Sequence, residues 1–335
     1  MNPLKTPSFW YRSLGIPAPF VENALRPLSA LYGLFFDLHQ RSKSPYKAEI
    51  PVVCLGNIVA GGTGKTPTAL AIMDLICNSK CARNPYFLLR GYGGAEIGPL
   101  LVDPQIHSAW DVGDEALILA RSAPTIIAAD RAAGVKHAQM KGADLVLMDD
   151  GLQNPGIHKD LKFLVLNGEM GFGNQKLLPA GPLRQPLKDG LNTADAFILI
   201  GDDTRGIIQS LPQNKPLIKA RIIQSNSATL DQNAPYIAFA GLGYPQKFFD
   251  FLKNAAHFNV VEALPYPDHF PYEEHHILKL KEKARALNAR LITTEKDFMR
   301  IPNTVCGEID VMPISIVFDA PQTLIDLIKT IEKQA

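Results

Sequence analysis

This chain has little cysteine, no surplus of charge and no long apolar run, and each shortage removes a class of function. Its four cysteines, Cys54, Cys77, Cys81 and Cys306, show no paired metal-ligand spacing. Cys77 and Cys81 read as ordinary packing at a helix end. Nothing calls for an oxidising compartment, which points to reducing cytoplasm. Thirty-four basic residues stand against thirty-three acidic ones. With a net charge of +1 the molecule has no bulk attraction for nucleic acid, and none is expected as a partner. No stretch reaches the roughly 18 to 20 apolar residues of a membrane-spanning helix. Pro3, Pro7, Pro17 and Pro19 interrupt the N-terminus, which lacks the layout of a secretion signal. Internal repeats and low-complexity tracts are missing too. What remains, 335 residues at 46% hydrophobic and 20% charged, describes a folded globular protein with room for two domains.

The richest segment is Gly56-Asn57-Ile58-Val59-Ala60-Gly61-Gly62-Thr63-Gly64-Lys65-Thr66-Pro67. An apolar run at 51–55 precedes it and an apolar helical pattern at 69–76 follows. Strand, glycine-rich turn, Gly-Lys-Thr and helix form the setting in which a phosphate-binding loop works. Backbone N–H groups of the turn close around phosphate oxygens, and the helix N-terminus adds a positive dipole end. Val59, Ala60, Gly61, Gly62, Thr63, Gly64, Lys65 and Thr66 are therefore the candidate nucleotide-binding set. Lys65 would reach the β/γ-phosphates, and the Thr66 hydroxyl would hold Mg²⁺. The loop is a variant. The usual pattern has glycine five residues before Gly64, where this chain has Val59, and Gly61-Gly62 supplies flexibility later.

Along the chain, strands are expected at 51–55, 86–90, 125–128, 144–148, 162–166 and 196–200. Helices are expected at 65–78, 113–122 and 131–141. Short apolar runs separated by helices argue for an α/β domain of the phosphate-loop NTPase kind, a mostly parallel sheet covered on both faces. Ligands in such a domain lie at the strand C-termini. A second, smaller α/β unit begins near Pro235, with strands at 236–240, 258–263 and 290–294 and a helix at 272–287. Segments 217–223 and 309–317 flank it and are expected to pair as a two-strand connector. The last helix, 321–333, is a candidate to return to the first domain. The expected domains are thus an N-terminal helical segment 1–48, a phosphate-loop core 49–215, a second domain with its connector 216–320 and a C-terminal helix 321–335.

Several residues are placed to carry chemistry. The apolar strand at 143–148 ends in Asp149-Asp150-Gly151, and an acid at the end of a strand beside a phosphate loop holds Mg²⁺ directly or through water. Either Asp149 or Asp150 fits that role, and Gln153 is near enough in sequence to join the pocket or to sit exposed in a turn. Asp114 and Glu115 open a helix, where acids cap the dipole but also supply the carboxylate a kinase needs to take a hydroxyl proton. Arg90 and Tyr92 follow a strand directly, and Arg131 starts a helix after the next one, each at the ligand edge. Arg184, in a long loop at 168–190, is a candidate to meet an anion or to stand solvated. In the second unit His269 lies between prolines and aromatics, in a rigid loop that suits positioning a group, although a lone loop histidine is more often a polar surface residue. Thr293-Thr294-Glu295-Lys296-Asp297 reads most simply as a helix cap.

The N-terminal 48 residues have their own character. Phe9, Trp10, Tyr11, Leu14 and Ile16 come first, then Phe20, Val21, Ala24, Leu25, Leu28, Leu31, Tyr32, Leu34, Phe35, Phe36 and Leu38 recur at helical spacing. Lys5, Arg12, Arg26, Arg41, Lys43 and Lys47 outweigh Glu22 and Asp37. Aromatic and aliphatic bulk beside basic charge is what an amphipathic helix lying in an anionic membrane surface needs; the alternative is a helix packed on its own domain.

Taken in order, these segments resemble the tetraacyldisaccharide 4′-kinase family of lipid A biosynthesis. The matching elements are Gly56-Asn57 with Gly61 to Pro67, Arg90-Gly91-Tyr92-Gly93, Gly113-Asp114-Glu115, Asp130-Arg131, Asp149 to Gln153, Leu178 to Arg184, Asp268-His269-Phe270 and Thr293 to Asp297. They cover almost the whole chain, and the variant loop with Val59 is the family's habit. The resemblance implies ATP- and Mg²⁺-dependent phosphorylation of the 4′-hydroxyl of a tetraacylated glucosamine disaccharide 1-phosphate, giving lipid IV_A. It also implies a membrane-associated N-terminal helix and a peripheral or monotopic place on the cytoplasmic face of the inner membrane. By residue-to-residue mapping, Asp114 and His269 would act together as base, with Lys65 at the phosphates. Thr66, Asp149 and Asp150 would serve Mg²⁺, with Arg90, Tyr92, Glu115, Arg131 and Gln153 near the site. Two other readings compete. One is a nucleotide-switch ATPase or GTPase, against which stands Ala60, where that group usually carries an additional lysine. The other is a non-catalytic membrane-docked scaffold, against which stand the intact Lys65, Thr66, Asp149 and Asp150.

Overall fold

Aliphatic runs of about five residues alternate with helical segments, and the chain folds accordingly. The structure, a computed structural model, describes residues 7–12, 18–225 and 230–332. Pro3, Lys5, Leu14, Ile16 and Pro17 fall outside these. The described elements begin with α1 (Phe20–Arg41), β1 (Val52–Gly56), α2 (Lys65–Asn78), β2 (Pro85–Leu89), β3 (Leu100–Leu101), α3 (Ala109–Val112) and α4 (Asp114–Ala120). They continue with β4 (Thr125–Ile127), α5 (Arg131–Met140), β5 (Leu145–Asp149), β6 (Leu161–Asn167), α6 (Leu187–Thr193), β7 (Ala196–Ile200) and β8 (Leu217–Gln224). Next come β9 (Tyr236–Ala240), α7 (Gln246–Asp250), β10 (Val260–Pro265), α8 (Glu274–Ala286), β11 (Arg290–Thr294), α9 (Glu295–Phe298) and β12 (Ile309–Met312). The chain closes with β13 (Ile314–Phe318) and α10 (Pro321–Glu332).

One unit takes in Pro7–Ile222 and the chain from Ile316 onward. Among the described residues its sheet has nine strands in the order β13-β8-β7-β6-β1-β5-β2-β4-β3. The pairings around β1 are parallel: Val53 stands beside Leu147 of β5 and Leu161 of β6. The short β3 runs antiparallel to β4 at one edge, and β13 meets β8 at the other through bonds such as Asp319 N to Lys219 O. Parallel central strands are covered on both faces, so Val52, Val53, Cys54 and Leu55 are all fully buried, and so are Leu145, Val146, Leu147 and Met148. Helix α2 turns Ala69, Ile72, Met73 and Ile76 inward. The last helix packs against α2 and β6, so it belongs to this unit.

The second unit, Ile223–Ser315, has a four-stranded sheet in the order β10-β9-β11-β12, with parallel pairings throughout. Tyr236 and Phe239 on β9 are its largest fully buried side chains. The segment expected as a single connector strand at 309–317 is two strands. Pro313 divides it, because proline removes a ladder donor. β12 joins this small sheet, and β13 pairs with β8 at the edge of the large one.

Helix α1 turns its polar side inward. Glu22 and Ser29 are its buried residues, whereas Phe20 is 85% exposed, Phe35 is 61% exposed, and Val21, Leu28, Leu31, Leu34 and Leu38 are exposed with them. Among the described residues no helix is long and apolar enough to cross a membrane.

Candidate active site

The last residue of β1 is glycine because the chain after β5 passes too close for a side chain: a Cβ on Gly56 would lie 2.5 Å from that of Leu152. The turn beyond it is held from several sides. Asn57 donates from Nδ2 to the Val59 carbonyl at 2.7 Å and to Thr63 Oγ1 at 2.9 Å, bridging the loop internally. Val59 is buried and forms an isolated antiparallel bridge with Leu183, and Ala60 N donates to Pro182 O at 2.7 Å. The position where the usual loop has glycine is therefore a packing position pinned by a neighbouring loop. Gly64, at φ 90°, makes the left-handed step into α2, which begins at Lys65.

At the tip of β5 the two acids diverge. Thr66 Oγ1 donates to Asp149 Oδ2 at 3.2 Å, while Asp149 Oδ1 is buried with no hydrogen-bond partner. Burial pushes the Asp149 carboxyl up to about 7, with the Glu115 carboxylate adding to the rise. Glu115, at the start of α4, is thereby placed within electrostatic reach of the strand tip. An orphaned buried carboxylate oxygen beside a hydroxyl is a hard-oxygen donor set, which fits Mg²⁺. Asp150 sits in the left-handed region at φ 52° and faces cations instead. Arg184 Nη1 approaches it at 2.7 Å and Lys65 Nζ at 3.7 Å. Burial would raise its carboxyl, but Lys65 and Arg184 outweigh that and hold it below the usual carboxylate range. Arg184 Nη1 also reaches Asn57 Oδ1 at 3.1 Å. Two cations thus converge on one carboxylate at the mouth of the loop, leaving a positive excess where phosphate oxygens would enter.

Asp114 is buried at the first position of α4, where its Oδ1 accepts from the Glu115 N–H at 2.9 Å. Arg131 is buried at the start of α5, donates to the Ala128 carbonyl, and has a buried Nε without a partner. Burial and the nearby Arg90 charge lower its guanidinium to about 10. Asp130 caps the same helix, accepting from Ala132 N and Ala133 N. Tyr92 is 68% exposed. Gln153 has a structural duty: its Nε2 donates to Asn57 O at 2.7 Å and to Gln185 Oε1 at 2.9 Å. It braces the loop from behind.

In the smaller unit, His269 adopts φ 55°, and its Nδ1 lies 2.9 Å from Arg300 Nη2 while Nε2 lies 3.5 Å from Lys296 Nζ. Thr294 caps α9 by accepting from Asp297 N, and Thr293 Oγ1 donates to Phe239 O. The buried Asp297 accepts from Gly241 N at 2.9 Å, and burial raises its carboxyl to about 6. Sequence reasoning missed Arg300, three residues past the motif that ends at Asp297, and gave Asn57 no role of its own.

Comparison with known proteins adds to this geometry. The family described as Tetraacyldisaccharide-1-P 4'-kinase (LpxK) matches residues 21–332. A Tetraacyldisaccharide 4'-kinase of Rhodospirillum centenum is 41% identical over 322 residues, covering 96% of this chain and 95% of its own. A protein of the same name from Gluconacetobacter diazotrophicus is 41% identical over 327 residues, covering 97% and 98%. Among solved structures, the "apo" form of LpxK from Aquifex aeolicus in complex with ATP superposes with a TM-score of 0.71. That match is at 26% identity and covers 93% of this chain and 99% of the other.

Proposed function

The chain belongs to the Tetraacyldisaccharide-1-P 4'-kinase family and is an ATP-dependent kinase of lipid A biosynthesis, and from that premise we propose how its residues divide the work. The substrate is an acylated disaccharide phosphate, and the γ-phosphoryl group of ATP goes to its 4′-hydroxyl. Within residues 59–66, Gly61 to Thr66 cradle the nucleotide phosphates with backbone N–H groups, while Val59 and Ala60 anchor the turn on Leu183 and Pro182, and Lys65 and Arg184 neutralise the phosphate oxygens. Thr66 and Asp149 hold Mg²⁺, with Asp150 keeping Lys65 and Arg184 in place beside it. When bound, the ion supplies charge neutralisation at the β/γ-phosphates. The observation that carries this reading is the Thr66–Asp149 pair, 3.2 Å apart, with the second Asp149 oxygen buried and unpartnered.

Asp114 takes the acceptor hydroxyl proton, and His269 carries the second catalytic role that the family pattern implies. Glu115, beside Asp149, keeps the local field negative, which favours cation binding. Arg131, with its spare buried Nε, and Arg90 and Tyr92 at the ends of strands line the edge at which the substrate arrives. Helix α1 lays its exposed Phe20, Leu31, Leu34, Phe35 and Leu38 into the surface of the inner membrane on its cytoplasmic face, where an acylated substrate resides.

One assay separates this from a nucleotide switch or a scaffold. Protein is incubated with γ-labelled ATP, Mg²⁺ and the detergent-dispersed acylated disaccharide phosphate, and label is followed into lipid. The kinase reading predicts labelled lipid. Labelled inorganic phosphate without labelled lipid favours a switch, and no turnover favours a scaffold.

A further inference from the structure

We propose that α1 is also a positioning element of the nucleotide site: through Ser29 and Tyr32 it holds the 174–185 loop so that Arg184 stands on Asn57 and Asp150. This rests on the reading of Arg184 and the phosphate loop given above, and extends it to residues of a helix otherwise assigned only to the membrane.

The loop at 174–185 has turns but no helix or strand of its own; Leu178 N, Gly181 N and Leu183 N find carbonyls within it, and the backbone groups left over need outside partners. Helix α1 provides them. Ser29, buried on the inward side of α1, donates to Leu177 O at 2.8 Å and accepts from Ala180 N at 3.0 Å. Gly33, one turn on, lets the helix come close, since a Cβ there would stand 2.9 Å from Leu177 Cδ1. Tyr32 donates to the carbonyl of Arg184 itself at 2.9 Å. The short segment before α1 joins in, with Trp10 Nε1 donating to Pro179 O at 3.0 Å and Tyr11 OH to Ala60 O at 3.3 Å.

From the loop the chain of contacts runs straight into the site. Pro182 O accepts from Ala60 N, and Arg184 N donates to Ile58 O at 2.8 Å. Arg184 is thus fixed at its N–H by the phosphate loop, at its carbonyl by Tyr32 and at its guanidinium by Asn57 and Asp150. A flexible arginine loses affinity for an anion when its backbone is loose, because more rotamer freedom must then be frozen on binding. Tyr32 and Ser29 remove that freedom in advance. Neither residue belongs to the outward apolar face of α1, so membrane docking and site positioning are carried by opposite sides of one helix.

The test is a double-mutant cycle on the full chain, reading kcat and KM for ATP with the acylated disaccharide phosphate present. Tyr32→Phe keeps the ring and removes one hydrogen bond, and should lower kcat/KM for ATP roughly 3- to 10-fold. Ser29→Ala should act in the same direction. Binding to anionic phospholipid vesicles should be unchanged in both. In an Arg184→Ala background Tyr32→Phe should have no further effect, since the group it positions is gone. If Ser29→Ala fails to fold, Tyr32→Phe decides alone. Wild-type kinetics in folded Tyr32→Phe, or an equal loss in both backgrounds, overturns the positioning role while leaving the site reading intact. Wild-type kinetics in Arg184→Ala overturns the site reading and the proposal with it.

Discussion

Replacing Asp149 by asparagine should disable the enzyme and yet strengthen the metal-free fold. The carboxyl sits almost wholly buried at the end of β5, one oxygen on Thr66 and the other without a partner. Its pKa rises from 3.8 to about 7, first through burial and then through Glu115. An acid with a raised folded pKa keeps its proton after the unfolded chain has lost it. Stability therefore falls as pH climbs from about 4 to about 7 and is level above that. A shift of about three pKa units corresponds to about 4 kcal/mol lost by pH 8. Asparagine carries no charge and can still accept from Thr66, so the variant escapes the loss. Urea unfolding in chelator should find Asp149→Asn more stable than wild type at pH 8, with the gap closing toward pH 4. Mg²⁺ with ATP should stabilise the wild type and not the variant, whose kcat should fall at least about 100-fold, as expected when a charge-stabilising group at the phosphates is lost. A variant less stable than wild type at pH 8 would mean that the carboxylate is welcomed by the fold, and the argument for a waiting cation site would fail.

Other expectations can be checked with the same protein. Lys65→Ala should cut kcat/KM for ATP by about 100-fold or more, read by steady-state kinetics; normal ATP kinetics would remove the phosphate-loop assignment. Asp114→Ala should lower kcat by about 100-fold or more in a folded protein, and unchanged turnover would take it out of the base role. His269→Ala should lower kcat with ATP binding intact; weakened ATP binding at unchanged kcat would point to a nucleotide contact instead. Leu31→Gln with Leu34→Gln and Phe35→Gln should release the protein from anionic vesicles at unchanged thermal stability, because all three side chains are exposed; retained binding would place the membrane contact elsewhere.

Where local pattern carries the information, the chain could be read before its structure was known. Gly-Lys-Thr after an apolar strand located β1, the turn and α2 to within a residue, because phosphate loops couple a glycine run to a helix start. Four apolar residues, Leu145 to Met148, closed by two acids located β5 and its tip. The division of duty between those acids was not legible, since it depends on Arg184 and Thr66 arriving from other parts of the chain. The supporting roles of Asn57 and Gln153 were hidden for the same reason. Periodicity identified the stripe on α1 but says nothing about which side faces the protein, and here Glu22 and Ser29 are buried while the leucines are exposed. Pro313 did signal the break between β12 and β13, and the apolar residues around it concealed that signal.

The central claim is that the loop at 59–66 with Thr66, Asp149 and Arg184 transfers phosphate from ATP to the 4′-hydroxyl of the acylated disaccharide. The most direct measurement takes the lipid product made by wild type and by Lys65→Ala under single-turnover conditions and locates the new phosphate by mass spectrometry and phosphorus NMR. The account predicts one added phosphate at the 4′ position, formed by wild type and nearly absent with Lys65→Ala. A phosphate at any other hydroxyl, or equal product from the two proteins, would contradict it.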